Sequence, residues 1–473
     1  MNIKKKTKII GTIGPASETK EIIKKLYDAG LNVARLNFSH GDHETHLKKI
    51  NIINELINEG CNMAIMLDTK GPEIRTGDFE NDLAIFNRGD ITRISMKPIL
   101  GTKEKFSVTY DKLINDVKIG DQIKFDDGRL ELEIIDIDHQ NDEIVCKVLN
   151  NHSIKSRRNC VAPFARLSMP FISKKDYEDI KFGCLNKVDF IAASFTRRKE
   201  DVLDIRRILK EYDAEDIKII AKIENQEGVD NLEDILSVAD GAMVARGDLG
   251  VEIPPEEVPL VQKQIVNSCL RLNKIVIVAT HMLDSMQKNP TPTRAEVSDV
   301  SSAVFEMCDS IMLSGESASG DFPVESVLME SKIASRMESV IDYHRIAEKA
   351  FLHNEKSTND AIAYSVANTV LLTDAKLIIA FSRSGATSRR ISSYRPKCPI
   401  ISVSSIASVV RKLCLTWGVY GYYCPSINRS MEEFETKANE IAKIYGVNPG
   451  EQVVITGGDG FGSTNFMKIV TVR

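Results

Sequence analysis

Eight short apolar, β-branched runs separated by stretches of helical length constrain this chain more than any other feature. The runs are KIIGTIG (8–14), VARLNF (33–38), MAIMLDT (63–69), DFIAASF (189–195), IKIIAKI (217–223), GAMVARG (241–247), KIVIVAT (274–280) and SIMLSG (310–315). Near-continuous apolar runs of this length suit strands buried on both faces, and each parallel step between such strands needs a crossover. Helical patterning supplies the crossovers at 18–29, 43–59, 174–185, 199–212, 228–238, 256–272, 294–308 and 323–339. Eight strands with eight helices predict an α/β fold, a closed (β/α)8 TIM barrel.

The alternation breaks once. Residues 72–169 show strand-like alternation with turn residues and almost no helical period, as in DQIKFDDGRLELEIIDID. This stretch reads as a small β domain inserted after the third strand, over the rim where barrel active sites lie, and so as a lid. Beyond about residue 345 a separate α/β domain follows, with a helix at 359–372, strands KLIIAFS and PIISVS, a helix at 431–445, then QVVITGG and MKIVTVR. The expected organisation is a (β/α)8 barrel over 1–71 and 170–345, an inserted β lid domain over 72–169 and a C-terminal α/β domain over 346–473.

Composition narrows the partners. With 62 basic against 67 acidic side chains the formal net charge is −5, and 42% of residues are hydrophobic. That balance excludes a disordered chain and a dedicated nucleic-acid binder. Nine scattered cysteines without CxxC spacing read as reduced thiols, mostly buried. No run of about 18 apolar residues suggests a membrane span, and the start MNIKKKTKIIGTIGP lacks the longer apolar stretch of an export signal. A cytoplasmic protein is expected.

Polar residues gather where the strands end. Strand two ends in Arg35, Asn37 and Ser39, strand three in Asp68, Thr69 and Lys70, and strand five in Lys222 and Glu224. Strand six ends in Arg246, Gly247 and Asp248, strand seven in Thr280, and strand eight in Ser314 and Glu316. One such residue alone reads as a salt bridge or helix cap; six strand ends converging on one rim do not. Lys222 and Glu224, at i and i+2, point to one side of a strand and set an ammonium beside a carboxylate. With Asp248 they suit Mg²⁺ or Mn²⁺, which take oxygen ligands and keep places for water and substrate. The same spacing equally fits a Lys–Glu ion pair capping the barrel. Arg35 and Arg75 tilt the balance, because guanidinium forks suit phosphate oxygens.

Three weaker patterns stand beside these. His40, His43 and His46 recur every three residues and read as surface histidines on a helix start. Gly11-Thr-Ile-Gly14-Pro15 lacks the GxGxxG pattern. Ser382, Arg383, Ser384, Gly385 and Thr387 lie between a strand and a helix start, where N–H groups and hydroxyls cradle phosphate or simply turn the chain.

Taken together, KIIGTIGPAS, GLNVARLNFSHG, MLDTKGPEIRTG, AASFTR, IIAKIENQEGV, DGAMVARGDLGVEIP, ATHMLDSM, PTRAEVSDV, IMLSGESASGDFP and SRSGATSRRISSYRP resemble the pyruvate kinase family in its order and spacing, over essentially the whole chain. The resemblance implies phosphoryl transfer from phosphoenolpyruvate to ADP, giving pyruvate and ATP in the last step of glycolysis. It implies that Glu224 and Asp248 hold the divalent ion and that Lys222 and Arg35 meet the transferring phosphate. Thr280 is implied near the protonation of the enolate, with backbone at Gly247 and Asp248 supporting the carboxylate. Asn37, Ser39, Asp68 and Thr69 match the K⁺ site, and Asn37, Arg75 and Arg158 the nucleotide side. Glu73 goes with K⁺ dependence in that family. Ser382, Arg383, Ser384, Gly385 and Thr387 match an effector loop for a phosphorylated metabolite, while Asp459 stands where some sugar-bisphosphate-activated members carry a basic or aromatic residue. A homotetramer is implied, without the additional C-terminal domain of some bacterial members.

The chain departs from the family pattern at 158–164, where Arg-Asn-Cys-Val-Ala-Pro-Phe replaces Lys-Gly-Val-Asn-Leu-Pro-Gly, and at His281, where the family has Gln. Two other readings stand beside the active kinase: a catalytically impaired regulatory paralogue, and another metal-dependent barrel enzyme of pyruvate or enolate chemistry.

Overall fold

The structure is a computed structural model that describes residues 5–353, 357–426, 430–458 and 463–473. Eight parallel strands close into a barrel: Lys8–Thr12, Val33–Asn37, Ala64–Asp68, Phe190–Ala193, Lys218–Ile223, Gly241–Ala245, Ile275–Ala279 and Ser310–Leu313. Each lies within one of the eight apolar runs. Alternate residues divide between two cores. Ile9, Leu36, Ile65, Ile191, Ile219, Val244 and Val278 pack outward against the helices. Ile10, Val33, Met66, Phe190, Ile220, Met243, Ile277 and Met312 fill the interior. The period-two alternation of a strand, with both faces apolar, produces this sorting.

Local chemistry starts the helices where the pattern expects them. Thr293 and Glu296 form a reciprocal capping box ahead of Arg294–Phe305, and Ser173 with Asp176 does the same for Lys174–Leu185. The patterned stretch at 228–238 is the one that differs, resolving into two short helices, Gln226–Asp230 and Leu232–Val238, broken at Asn231.

The chain leaves the barrel after its third strand through Gly71, whose φ of +72° and whose position, where a Cβ would lie 2.8 Å from the Ser194 carbonyl, admit no larger residue without strain. The inserted domain is a seven-stranded sheet whose two margins meet at the Thr76–Val108 bridge. It closes on its own core, with Phe79, Phe86, Phe106 and Phe125 in tilted and edge-on contact.

The C-terminal domain carries a five-stranded sheet in the order Val419–Tyr423, Ile400–Ser404, Leu377–Phe381, Gln452–Gly457, Phe466–Thr471, with only the last strand antiparallel. The edge strand Val419–Tyr423 and the helix Tyr343–His353 are not among the elements read from the sequence. That strand is half exposed and interrupted by Gly421, so it lacks an apolar run.

This domain docks under the barrel, opposite the rim. Leu415 and Cys414 join the apolar cluster inside the barrel. Arg395 pairs with Asp309 at 3.0 Å, and Arg411 with Asp189 at 2.9 Å. Lys8 donates to the Val419 carbonyl at 2.5 Å and lies 3.4 Å from the centroid of the Tyr420 ring, and burial holds its ammonium well below the usual lysine range. Among the described residues no helix is long and apolar enough to cross a membrane, and all nine cysteines are free and buried.

Candidate active site

Strands two, three, four and five each send one inward side chain to the rim, and these four make contact. Arg35 donates through Nε to Asp68 Oδ2 at 2.6 Å and through Nη1 to Thr12 Oγ1 at 2.8 Å. Lys222 Nζ donates to Ser194 Oγ at 2.8 Å and lies 3.2 Å from Asp68 Oδ1. Ser194 Oγ sits 2.7 Å from the Thr69 carbonyl. Asp68, 1% exposed, therefore lies between two cations. Burial pushes its carboxyl up, but Arg35 and Lys222 outweigh burial and hold it below the usual range. Burial likewise opposes the charge on Lys222, and the carboxylates of Asp68 and Glu224 more than offset it, so the ammonium is held above the usual lysine range.

Glu224 lies one residue past strand five and is fully buried. Its Oε2 accepts from the Phe195 N–H at 2.5 Å. Its Oε1 stands 3.0 Å from Lys222 Nζ but out of hydrogen-bond alignment, and is a buried acceptor without a donor. Burial first, and then the nearby Asp248 carboxylate, push the Glu224 carboxyl up to about 7 against the pull of Lys222. Asp248 is in the first turn of the helix Arg246–Glu252 that follows strand six. Two cations facing three carboxylates, one oxygen of which lacks a partner, suit a divalent ion. Among the described residues no group of three or more His, Cys, Asp or Glu is placed to hold a metal.

Thr280 lies one residue past strand seven with φ +68°, and His281 follows at φ +53°, two consecutive left-handed residues. Thr280 Oγ1 donates to the Ala279 carbonyl at 2.6 Å and accepts from the Gly247 N–H at 2.8 Å. Arg246 fixes this corner, donating to the Thr280 carbonyl at 2.6 Å and pairing with Asp299 at 2.6 Å. Not every strand-end residue joins. Glu316 turns to the backbone N–H groups of Leu283 and Ser314, a structural role. Asn37 Oδ1 accepts from the Ser39 N–H at 3.1 Å, and Thr69 Oγ1 from the Ser194 N–H at 3.1 Å.

Above the rim lies the inserted domain. Arg75 is held by Glu73 at 2.6 Å and donates to the Arg157 carbonyl at 2.8 Å, while Arg158 lies 3.5 Å from Asp126. The cleft beneath is lined by Glu73, Ile74, Val161, Phe195, Asp248 and Glu252 among others. Lys124 bridges it to the Val251 carbonyl at 3.0 Å. Glu252 is half-buried there, and desolvation first, helped by the Asp248 and Glu224 carboxylates, pushes it up to about 8 against Lys124.

In the C-terminal domain Ser382 Oγ accepts from the Thr387 N–H, Gly385 takes φ +74°, and Thr387 Oγ1 lies 2.7 Å from Thr464 Oγ1. Asp459 lies outside the described residues. One histidine expectation is corrected. His46 is 4% exposed, stacked on Phe38 with ring centroids 3.9 Å apart. Only His43 and His40 keep to the surface side, His43 pairing with Asp179 at 2.7 Å. Sequence reasoning placed no side chain of strand one or four at the site. Thr12, Ser194 and the Phe195 N–H were legible only as part of the motifs GTIGP and AASFTR, where the polar residue follows the apolar run.

A closed parallel barrel with an ammonium, a guanidinium and carboxylates at its carboxyl rim, under an inserted β domain, defines a barrel enzyme built for charge-stabilised transfer. The pyruvate kinase barrel-domain model matches residues 4–327, and the pyruvate kinase alpha/beta-domain model residues 360–470. The chain belongs to the pyruvate kinase family, whose members are phosphotransferases. It is 49% identical to a pyruvate kinase of Geobacillus stearothermophilus and 47% identical to one of Staphylococcus aureus, over 99% and 98% of this chain and 80% of each relative. A crystal structure of a pyruvate kinase from Cryptosporidium parvum matches with TM-score 0.94 and 40% identity, covering 99% of this chain and 97% of that one.

Proposed function

We infer that this chain transfers the phosphoryl group of phosphoenolpyruvate to ADP, yielding pyruvate and ATP as the closing step of glycolysis. The observation that carries the reading is the Arg35–Asp68–Lys222–Glu224 cluster, whose cations are fixed before any substrate arrives. Phosphoryl transfer spreads negative charge over oxygens and asks mainly for positioned positive groups. Lys222 and Arg35, held by Asp68, reach toward the phosphate from two sides. Thr280 lies where the methylene of the departing enolate is protonated, its hydroxyl oriented by the Ala279 carbonyl. For Gly247 to support the substrate carboxylate, its N–H must be released by Thr280 Oγ1.

Glu224 Oε1, an acceptor without a donor, fits a divalent ion shared with Asp248. Mg²⁺ or Mn²⁺ there supplies charge neutralisation for the phosphate and carboxylate oxygens. Asn37, Ser39, Asp68 and Thr69 form the site proposed for K⁺, and Glu73 supports a K⁺ requirement. Asn37, Arg75 and Arg158 face the nucleotide. Ser382, Arg383, Ser384, Gly385 and Thr387 take a phosphorylated effector, and a cytoplasmic homotetramer completes the reading.

The test is pyruvate formation from phosphoenolpyruvate and ADP with Mg²⁺, with K⁺ or with a large inert cation in its place. Activity requiring both ions supports the reaction and the two ion sites together. Folded protein without activity under any ion or sugar-phosphate condition overturns the reading and points to a regulatory paralogue.

A further inference from the structure

Between the underside of the barrel and the C-terminal domain lies a cavity of about 270 Å³, far from the rim and from the lid. Lys274 and Asp309 enter it from the roots of barrel strands seven and eight. Arg389, Arg390 and Arg395 enter it from the helix Ala386–Ser392 and the turn after it. Its only lining carboxylate is fully used: Asp309 takes Arg395 at 3.0 Å and accepts the N–H groups of Trp417 and Val276 at 3.1 and 3.0 Å. Arg390 is paired with Asp360 at 3.2 Å.

Among the described residues, two lining cations have no carboxylate within 4 Å. Lys274 donates to the Ala239 carbonyl at 2.8 Å, and Arg389 to the Ser384 carbonyl at 3.2 Å. Carbonyl oxygens solvate these charges, and the nearby Asp240, already paired with Arg206 and Lys218, offsets them only in part. The third observation is independent. Arg395, 3% exposed, carries a buried Nε–H with no acceptor, and holds this position on a left-handed backbone of φ +48°. A buried guanidinium N–H costs free energy unless something accepts it. Lysine and arginine charge from both domains, a buried donor without a partner and a cleft, partly open to solvent, that is roomier than one anion together suit a tetrahedral oxyanion.

We propose that this seam is a second anion site, taking phosphate or a small phosphate ester between Lys274 of the barrel and Arg389 and Arg395 of the C-terminal domain. It is separate from the effector loop: none of Ser382, Arg383, Ser384, Gly385 and Thr387 lines the cavity. A ligand there joins the root of strand seven to the C-terminal domain by charge-assisted bonds.

Trp417, the chain's single tryptophan, reports on the site, its ring 5.2 Å from the Arg395 guanidinium carbon. The experiment follows its fluorescence in the full-length Lys222→Met protein, which quiets phosphate binding at the rim. Inorganic phosphate and glycerol 3-phosphate are titrated against chloride of equal ionic strength. The expected result is a saturable change with phosphate, weakened roughly tenfold or more by Lys274→Gln and by Arg389→Gln. Lys274→Arg restores it. A tighter curve with glycerol 3-phosphate assigns the cavity to an ester, and equal curves to the free anion. A response matched by chloride, or one unchanged in Lys274→Gln, overturns the proposal. The second outcome returns the signal to the effector loop, because Lys274 lies on the barrel side of the seam.

Discussion

Asp68 shows how a buried charge is tolerated: it is the shared counter-ion of Arg35 and Lys222, and removing it leaves Arg35 without its carboxylate and Lys222 with Glu224 alone. Asp68→Asn is expected to destabilise the fold by about 3–5 kcal/mol, the cost of breaking a buried ion pair, read from denaturant unfolding. Lys222→Met takes away the ammonium but leaves Glu224 and Asp248 in place. Its phosphoryl transfer should fall roughly 10²–10⁴-fold while Mn²⁺ binding, followed by electron paramagnetic resonance, persists. Retained transfer would remove Lys222 from the chemistry. Glu252 gives a pH signature. Its folded carboxyl is raised to about 8, above the ordinary 4.5, so the folded state prefers it protonated. The stability it allows is full below pH 4.5 and is lost as pH rises through 8. Glu252→Gln should therefore melt at the parent's temperature near pH 4.5 and above it at pH 9, in EDTA; equal melting at both ends would refute the burial argument.

The strand ends, more than the strands, separate what could be read in advance from what could not. All eight barrel strands were legible, because a strand apolar on both faces leaves an unbroken run. Lys222 and Glu224 could be paired from their i, i+2 spacing alone, and they lie 3.0 Å apart. Ser194 could not be singled out, since a serine after an apolar run looks like any cap until the barrel closes and brings Asp68 within 3.1 Å of it. Val419–Tyr423 escaped for a related reason: an edge strand with one exposed face and a central glycine has no hydrophobic signature. His46 reads as surface from its neighbours on the helix start, and only the tertiary stack on Phe38 buries it. The corner at Thr280 is set from outside, by Arg246 reaching across from the helix that follows strand six and Asp299 anchoring it. Asp299→Ala should let the two left-handed residues relax, lowering kcat up to about 10²-fold with KM less affected, since misplacement of about 1 Å carries that penalty. Unchanged steady-state kinetics would show that the backbone holds the corner without the clamp.

Seen whole, the molecule is a barrel covered at both ends, by a β domain over the rim and by an α/β domain underneath. The lower joint is the tighter, with Asp309 and Arg395 both under 5% exposed and Leu415 inside the barrel's own cluster. Asp309→Asn should cost about 3–5 kcal/mol and split calorimetric unfolding into two transitions, the C-terminal domain releasing first; a single unshifted transition would mean that apolar contacts alone hold the joint.

The plug also fixes a timetable. Leu415, which seals the barrel's lower end, lies 102 residues beyond Leu313, the end of the last barrel strand. A ribosome making this protein therefore carries a barrel whose strands are all synthesised, open at its base, for about another hundred residues of elongation. Domains ordinarily fold in order as they emerge, but here the earlier domain waits for the later one. Stalled nascent chains should stay protease-sensitive in the barrel until Leu415 has cleared the exit tunnel, which makes the unfinished chain a natural client for ribosome-bound chaperones.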